Sequence, residues 1–178
     1  TQVTLNADEL QMFDSAVATG DPQLLAKPLR QDRASIPVPP ATALTAMRRA
    51  MAAAEAARIL IGGRTEDYQG AAPGIAEEAC LALQAGRVVL PIAAYGGCAH
   101  DVAVALGAIL QPLRPRPATD PRYAEMLARI GQHRTRYLDR MSAAGIGADA
   151  LQALSLCESP QRLAELCAAA LVATLQAG

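Results

Sequence analysis

Apolar and polar positions along the chain alternate in blocks that predict two short strands separated and followed by helices. Two apolar runs, at 58–61 and 88–92, are nearly continuous, as is typical of parallel strands buried on both faces. Apolar positions recur at helical spacing outside these runs and predict helices at 45–57, 75–85, 98–106, 122–144, 151–156 and 160–176. The order of elements predicts an α/β domain with a parallel sheet and helices on its faces, followed by C-terminal helices.

The flanking segments carry weaker patterns. Asn6 and Glu9 have the spacing of a capping box and predict a helix that ends at Thr19. Prolines predict irregular connections at 27–40 and 111–121. We expect an α/β core at 1–110 and a C-terminal helical extension of the same domain at 111–178.

The helix predicted at 45–57 has a candidate N-cap and a candidate apolar face. Thr42 or Thr45 is the expected N-cap, since threonine oxygens accept from the free N–H groups of a first turn. Met47 and Met51 lie four residues apart and are expected to pack inward.

Both strands end at paired glycines. Gly62 and Gly63 follow the first strand and Gly96 and Gly97 follow the second, while Gly74 opens the helix between them. In doubly wound sheets, ligands bind outside the carboxyl ends of the strands. Helix N-termini after such loops present backbone N–H groups that suit phosphates. The pattern therefore predicts a nucleotide-type site.

Several side chains near these loops have chemistry that suits a nucleotide, and each also has a structural interpretation. Arg64 has a planar fork for a pyrophosphate, worth roughly 1.5–3 kcal/mol for one charge-assisted bond, or it is a surface arginine. Glu77 or Glu78 accepts from ribose hydroxyls, or both serve the helix dipole. Tyr95 is expected either to stack on a base or ribose or to pack against the protein. Gly96 and Gly97 either let the backbone approach a ligand or form an ordinary strand-to-helix turn.

The residues GGR, PG, EE and YGG, in that order between 62 and 97, resemble the SLOG superfamily of Rossmann-like domains, which includes the DprA and LOG families. The resemblance covers roughly 43–107. It is closest to the sensor domains joined to sirtuin-like or TIR effector domains in Thoeris-type anti-phage systems, which bind cyclic ADP-ribose isomers. It implies a cyclic ADP-ribose isomer or related adenine nucleotide as ligand, without a further cofactor.

The same resemblance implies roles for individual residues. In the resembling domains, a basic residue after the first glycine pair contacts the nucleotide, and Arg64 occupies that position here. A second basic contact lies one helix earlier and corresponds to Arg48, although the adjacent Arg49 is the other candidate for that position. Glu78 is the residue implied for the ribose. The ligand-binding set is therefore expected to comprise Arg48, Gly62, Gly63, Arg64, Gly74, Glu78, Tyr95, Gly96 and Gly97.

Some residues depart from the pattern of the superfamily. LOG phosphoribohydrolases carry a longer PGGxGTxxE loop, whereas Ile75 and Ala76 stand here in place of its phosphate-holding glycine and threonine. Residues 1–5 lack the glycine/serine motif that ends the first strand in the family. Three functions stay open: a nucleotide sensor, a nucleotide N-glycosidase, or an oligomerisation domain whose pocket is vestigial. We expect the sensor, without catalytic residues and as a homo-oligomer.

The amino-acid composition limits the classes of binding partner and the kinds of metal or cysteine chemistry that we expect. The 178 residues are 52% hydrophobic and 19% charged with a net charge of −1, which favours a globular chain without nucleic acid or membrane partners and a cytoplasmic location. The four cysteines show no CxxC pairing, so no metal site is expected. Cys98 is expected to be the most exposed of them, as a loop residue or a nucleophile, and the arginine stripe of the helix at 122–144 is expected to be solvated.

Overall fold

The computed structural model describes residues 40–113 and 120–177, which contain seven helices and two strands. The elements are α1 (Pro40–Ala54), β1 (Ala57–Ile61), α2 (Gly74–Gln84), β2 (Val88–Ile92), α3 (Gly97–Leu106), α4 (Pro121–Gly131), α5 (Arg134–Ala143), α6 (Ala148–Ser155) and α7 (Pro160–Gln176). The helix expected at 6–19, the loop expected at 27–40 (except Pro40, which begins a helix) and part of the proline-rich connector lie outside the described residues.

The two strands form a parallel pair joined by the crossover helix α2. Ala57 lies opposite Val88 and Ile61 lies opposite Ile92. All five residues of β2 are buried. This arrangement confirms the α/β, Rossmann-like fold with C-terminal helices, since a parallel pair with a helical crossover is the unit of that fold.

Pro91 lies within β2 at a position where its missing N–H is not needed. The N–H of Val88 donates to the carbonyl of Ala56 at the start of β1, at 3.3 Å. Successive residues of a strand alternate in direction, so the nitrogen of Pro91 faces away from β1. On that other edge, Ala93 N–H donates to the carbonyl of Ser155 at 2.7 Å. The edge of β2 opposite β1 is therefore bounded by the end of α6, and a proline is tolerated there.

Helices from both halves of the described chain share one core. α2 and α3 contact both strands, α6 and α7 contact β2, and α4 packs on α2 and α3. The largest fully buried apolar side chains come from six different elements and include Leu60, Leu90, Ile92, Leu106, Ile130, Met141 and Leu151. None of the described helices is long and apolar enough to cross a bilayer.

The helix expected at 122–144 is two helices. α4 ends at Gly131 and α5 begins at Arg134. Glycine has low helix propensity because its backbone loses the most entropy on ordering, so Gly131 permits the break. The apolar residues of α4 and α5 continue the same helical repeat across the break, so the sequence pattern predicted a single helix.

The expectations for α1 were wrong in two respects. The helix begins at Pro40 and ends at Ala54, so Thr42 and Thr45 lie inside it rather than at its cap. Proline is favoured in the first turn because its missing N–H is unpaired there anyway. Met47 and Met51 are 49% and 44% exposed instead of packing inward.

Candidate functional site

The loops that follow the two strands are bonded to each other through their backbones. The carbonyl of Gly63 accepts the N–H of Cys98 at 3.0 Å, and the carbonyl of Gly62 accepts the N–H of Ala99 at 2.7 Å. These are two of the N–H groups of the first turn of α3, which normally lack helical partners. The expectation that this helix N-terminus offers them to a phosphate is therefore wrong for these two groups. They bind the first glycine loop instead.

Glycine is required at the contact between the loops. A Cβ on Gly97 would overlap the carbonyl oxygen of Gly63 and lie 2.8 Å from the carbonyl carbon of Gly62. All three have positive φ, at +65°, +94° and +61° respectively. Gly96 also has positive φ, at +70°, but a Cβ there would meet nothing within 4 Å. Gly97 is needed for close approach, whereas Gly96 is needed only for its backbone conformation.

A cleft of about 520 Å³ opens beside the second glycine loop. Its lining consists of the loop after β2 and the first residue of α3 (93–97), together with His100, Leu113 and Glu158. The volume is in the range of small-molecule sites, and the cleft lies at the carboxyl edge of the parallel pair, where ligands of such folds bind. Three predicted site residues, Tyr95, Gly96 and Gly97, line it.

Tyr95 forms the wall between this cleft and an apolar groove. Its side chain is 45% exposed, and its hydroxyl donates to the backbone carbonyl of Glu158 at 2.9 Å. The groove on its other side has a volume of about 340 Å³ and includes Ile59, Ile61 and Leu163. The hydroxyl bond fixes the direction of the ring while leaving much of it accessible, an arrangement that suits stacking against a planar ligand group.

His100 closes one side of the cleft with both ring nitrogens engaged. Its Nε2 accepts the backbone N–H of Leu113 at 3.0 Å, which assigns the proton to Nδ1, and Nδ1 lies 2.9 Å from Oδ1 of Asp101. The other carboxylate oxygen of Asp101 accepts from the hydroxyl of Tyr123 at 2.8 Å. Sequence reasoning did not assign His100 to the site. Its proximity to YGG was the available signal.

Cys98 is fully buried, so the expectation of an exposed loop cysteine was wrong. Burial, as the largest cause, raises the pKa of its thiol to about 11. The neighbouring Tyr123 hydroxyl and Ala76 N–H lower the pKa by a smaller amount. The thiol therefore stays protonated near neutral pH, which is the opposite of what a nucleophilic cysteine needs.

Arg64 follows directly after the loop contact and is exposed. Within the described residues it forms no ion pair. It does not line the cleft itself, but its backbone is one residue from Gly63, whose carbonyl is bonded to the N-terminus of α3. The backbone of Arg64 therefore starts one residue from the contact between the first glycine loop and α3, and its guanidinium has no ion-pair partner among the described residues.

Arg48 and Glu78, two further predicted ligand residues, bind within the protein. The side chain of Arg48 is 11% exposed, and its Nη1 lies 2.5 Å from Oε2 of Glu77. Its Nε lies 3.5 Å from Oε1 of Glu78, an ion-pair distance without a hydrogen bond. The second oxygen of Glu78 accepts from Arg58 at 2.6 Å. Arg48 and Glu78, which were predicted to bind a ligand, are therefore largely neutralised by ion pairs within the protein.

This ion-pair cluster connects three elements and includes residues that sequence reasoning missed. Arg58 of β1 also binds Glu55 through Nε at 2.9 and 3.0 Å, and Thr45 of α1 donates to Glu77. Gly74 of α2 belongs to it by packing, because a Cβ there would lie 2.7 Å from Nη2 of Arg48. The spacing of three between Glu55 and Arg58 was the one signal in the sequence.

The loop that carries Arg64 is attached to α4. The hydroxyl of Tyr68 donates to Asp120, the N-cap of α4, and the guanidinium carbon of Arg122 lies 5.3 Å from the centre of the Tyr68 ring. The bonds from Arg122 and then Tyr68 hold the pKa of Asp120 below its ordinary value, so the acceptor stays ionised. Between the glycines and α2, this loop is therefore anchored rather than open.

The predicted site residues therefore fall into two groups. Gly62, Gly63, Arg64, Tyr95, Gly96 and Gly97 lie at or beside the cleft, whereas Arg48, Gly74 and Glu78 belong to the ion-pair cluster. In the part of the chain that the structure describes, no group of three or more His, Cys, Asp or Glu side chains is placed to hold a metal ion.

Comparison with known proteins gives one family. The family model described as SLOG cluster2 matches residues 9–149, which covers both glycine loops and the cleft residues except Glu158. No curated protein and no solved structure matches the chain. The match extends over more than half of the sequence, and the chain therefore belongs to the SLOG superfamily, which indicates a nucleotide-related function.

Proposed function

We propose that this chain is a nucleotide-sensing domain that binds an NAD-derived signal, a cyclic ADP-ribose isomer or ADP-ribose. The observation that carries the proposal is the cleft of about 520 Å³ beside two glycine loops that meet at the carboxyl edge of a parallel strand pair. SLOG membership supports a nucleotide as the ligand. The choice of an NAD-derived nucleotide rests on the resemblance to Thoeris-type sensor domains.

The chemistry of the cleft suggests how such a ligand lies in it. Tyr95 offers a ring face for the base or ribose, and Gly96–Gly97 lets the backbone approach closely. The only charged residue among the described residues that line the cleft is Glu158, which suits hydroxyl or amine donors better than phosphates. The base and ribose therefore occupy the cleft, and the diphosphate lies toward Arg64.

Binding without turnover is supported by the state of the reactive side chains. Glu77 and Glu78 are ion-paired with arginines, His100 uses both ring nitrogens, and Cys98 holds a protonated thiol. A general base must be within hydrogen-bond reach of the proton it removes. Glu77, Glu78 and Cys98 do not line the cleft, and both ring nitrogens of His100 are already hydrogen-bonded, which favours a sensor over a LOG-like phosphoribohydrolase or other N-glycosidase.

A sensor must also transmit the bound state. Because Tyr68 joins the Arg64 loop to the N-cap of α4, a ligand that draws Arg64 toward the cleft also acts on α4. A ligand shifts an equilibrium only by its differential affinity for two states. We propose that α4 movement alters a homo-oligomer and so regulates a linked or partner sirtuin-like or TIR effector in bacterial anti-phage defence.

Calorimetry and a product assay on the same samples test this function. The full chain is titrated with ADP-ribose, cyclic ADP-ribose isomers and AMP, and release of ribose phosphate or free base is measured in parallel. We expect saturable heat with at least one NAD-derived nucleotide and no product. Product release would replace the sensor with an N-glycosidase. If none of these nucleotides gives a binding heat or a product, the structural role as an oligomerisation domain would be favoured instead.

A further inference from the structure

A second cavity lies at the opposite edge of the sheet, where β2 begins. Its volume is about 30 Å³, and four basic side chains contribute to its lining, Arg87, His133, Arg136 and Arg140, together with Tyr137. β2 is five residues long, so this cavity lies on the order of 15 Å from the loop that follows the strand. It is therefore separate from the nucleotide cleft.

Backbone carbonyls hold two of these arginines in place. Arg87 donates from Nε to the carbonyl of Ala52 at 3.0 Å and from Nη2 to that of Ala53 at 2.8 Å. Arg140 donates from Nη1 to the carbonyl of Gly86 at 2.6 Å. A guanidinium has five N–H donors, so each arginine is oriented while several of its donors remain. The carbonyls carry no full negative charge, so these bonds are not ion pairs.

No carboxylate neutralises the cluster within the described part of the chain. Arg87, Arg136 and Arg140 form no ion pair there. Asp139, the acidic residue of α5, is exposed and does not line the cavity. Like charges that converge without a counter-charge repel one another, and an anion between them removes that repulsion.

Tyr137 supplies an independent indication of a missing partner. Its side chain is buried, and its hydroxyl has no hydrogen-bond partner among the described residues. Burial raises the pKa of Tyr137, so the hydroxyl stays protonated and can only gain by donating. Buried polar groups without partners are uncommon in native proteins and often indicate an absent water or ion.

We propose that this cavity binds a small inorganic oxyanion of the phosphate or sulfate type, held by Arg87, Arg136 and Arg140. A single water needs roughly 10–15 Å³ by the same measure, so a cavity of about 30 Å³ accepts a compact group larger than one water. Guanidinium donors match tetrahedral oxyanions in charge and geometry, and Tyr137, whose buried hydroxyl lacks a partner among the described residues, lines the same cavity. The site is additional to the nucleotide cleft and does not depend on the proposed sensing function.

Thermal unfolding of the full chain in phosphate or sulfate, against chloride at equal ionic strength, tests the site. We expect a higher melting temperature in the oxyanions, because a ligand that binds only the folded state stabilises it. Arg136→Gln should weaken the apparent phosphate affinity about tenfold. Arg129→Gln is the control with the same charge change, since Arg129 is 56% exposed and lies outside the cavity.

Two further variants separate this site from its alternatives. Tyr137→Phe keeps the ring, so in chloride it should melt no lower than the parent, and its phosphate response should be smaller. Arg64→Ala should lose only the part of the phosphate response that arises at the glycine loops and should keep the rest. Equal melting of the parent in phosphate and chloride would overturn the proposal, as would equal responses of Arg136→Gln and Arg129→Gln. Complete loss of the response in Arg64→Ala would also overturn it by placing the anion at the glycine loops.

Discussion

The carbonyl of Gly63 accepts the backbone N–H of Cys98 at 3.0 Å, so the loop after the first strand occupies the N-terminus of the helix after the second. The bond makes one backbone unit of two loops that are far apart in sequence. Because this bond occupies an N–H group in the first turn of α3, we expect a bound anion to contact Arg64 instead. The guanidinium of Arg64 has no ion pair within the described residues.

Gly97→Ala should destabilise the protein by more than Gly96→Ala does. Both glycines have a positive φ that strains alanine by roughly 1–3 kcal/mol, and Gly96, with φ +70° and ψ −152°, lies in a region that is essentially open only to glycine. Only at position 97 would the new Cβ also overlap the Gly63 carbonyl, so we expect the larger loss there, above about 3 kcal/mol, measured by denaturant unfolding. Equal losses in the two variants would show that the loops are not in close contact.

Arg64→Ala should abolish nucleotide binding and leave the melting temperature unchanged. The side chain is exposed and makes no ion pair among the described residues, so its removal costs affinity rather than stability. Calorimetry with the nucleotide that binds the parent measures the effect, and Arg129→Ala serves as the exposed-arginine control. Parent-like affinity in Arg64→Ala would remove Arg64 from the site.

Arg48→Ala should lower stability before it affects binding. The family resemblance implied a ligand contact for Arg48, but its side chain is 11% exposed and pairs with Glu77 and Glu78. Removal of one partner from a largely buried pair typically costs about 3–5 kcal/mol, because the remaining charge is uncompensated. Urea unfolding checks this, with Arg129→Ala expected to change little. A variant of parent-like stability with impaired binding would restore the ligand role.

The free energy of unfolding should fall as pH rises above about 9. The folded-state pKa of Cys98 is raised to about 11 from 9.0, so the folded protein keeps a proton that the unfolded chain releases. Stability is therefore complete below pH 9 and is lost through pH 11, at up to about 1.4 kcal/mol per pH unit for one proton. Burial raises the pKa values of Tyr123 and Tyr137 in the same direction.

Unfolding of the parent and Cys98→Ala between pH 7.5 and 10.5 measures the share due to this thiol. The variant should lose stability less steeply from pH 9 to 10. Other buried thiols, Cys80 and Cys167, also have raised pKa values and remain in both proteins, so the difference between the two slopes isolates Cys98. Identical slopes would mean that Cys98 ionises in the folded state as it does in the unfolded chain.

The sequence by itself determined the elements and the edge of the sheet that carries the cleft. Strands were placed at 58–61 and 88–92 and are observed at Ala57–Ile61 and Val88–Ile92. Helix α2 was placed within one residue at each end, and α3 at its start. Hydrophobic period and glycine breaks are local properties, and parallel strands with a helical crossover bring both glycine loops to one edge without further information.

Tertiary structure alone decided which charges remain available. Arg48 and Arg64 look equivalent in the sequence, but Arg48 is paired with carboxylates 29 and 30 residues away, whereas Arg64 makes no ion pair in the described residues. Burial of Cys98 and convergence of Arg87 with Arg140 depend likewise on packing between distant elements. Partner choice is set by distances of a few ångströms, since Coulomb energy and desolvation change steeply over that range, and periodicity along a chain carries no such distances.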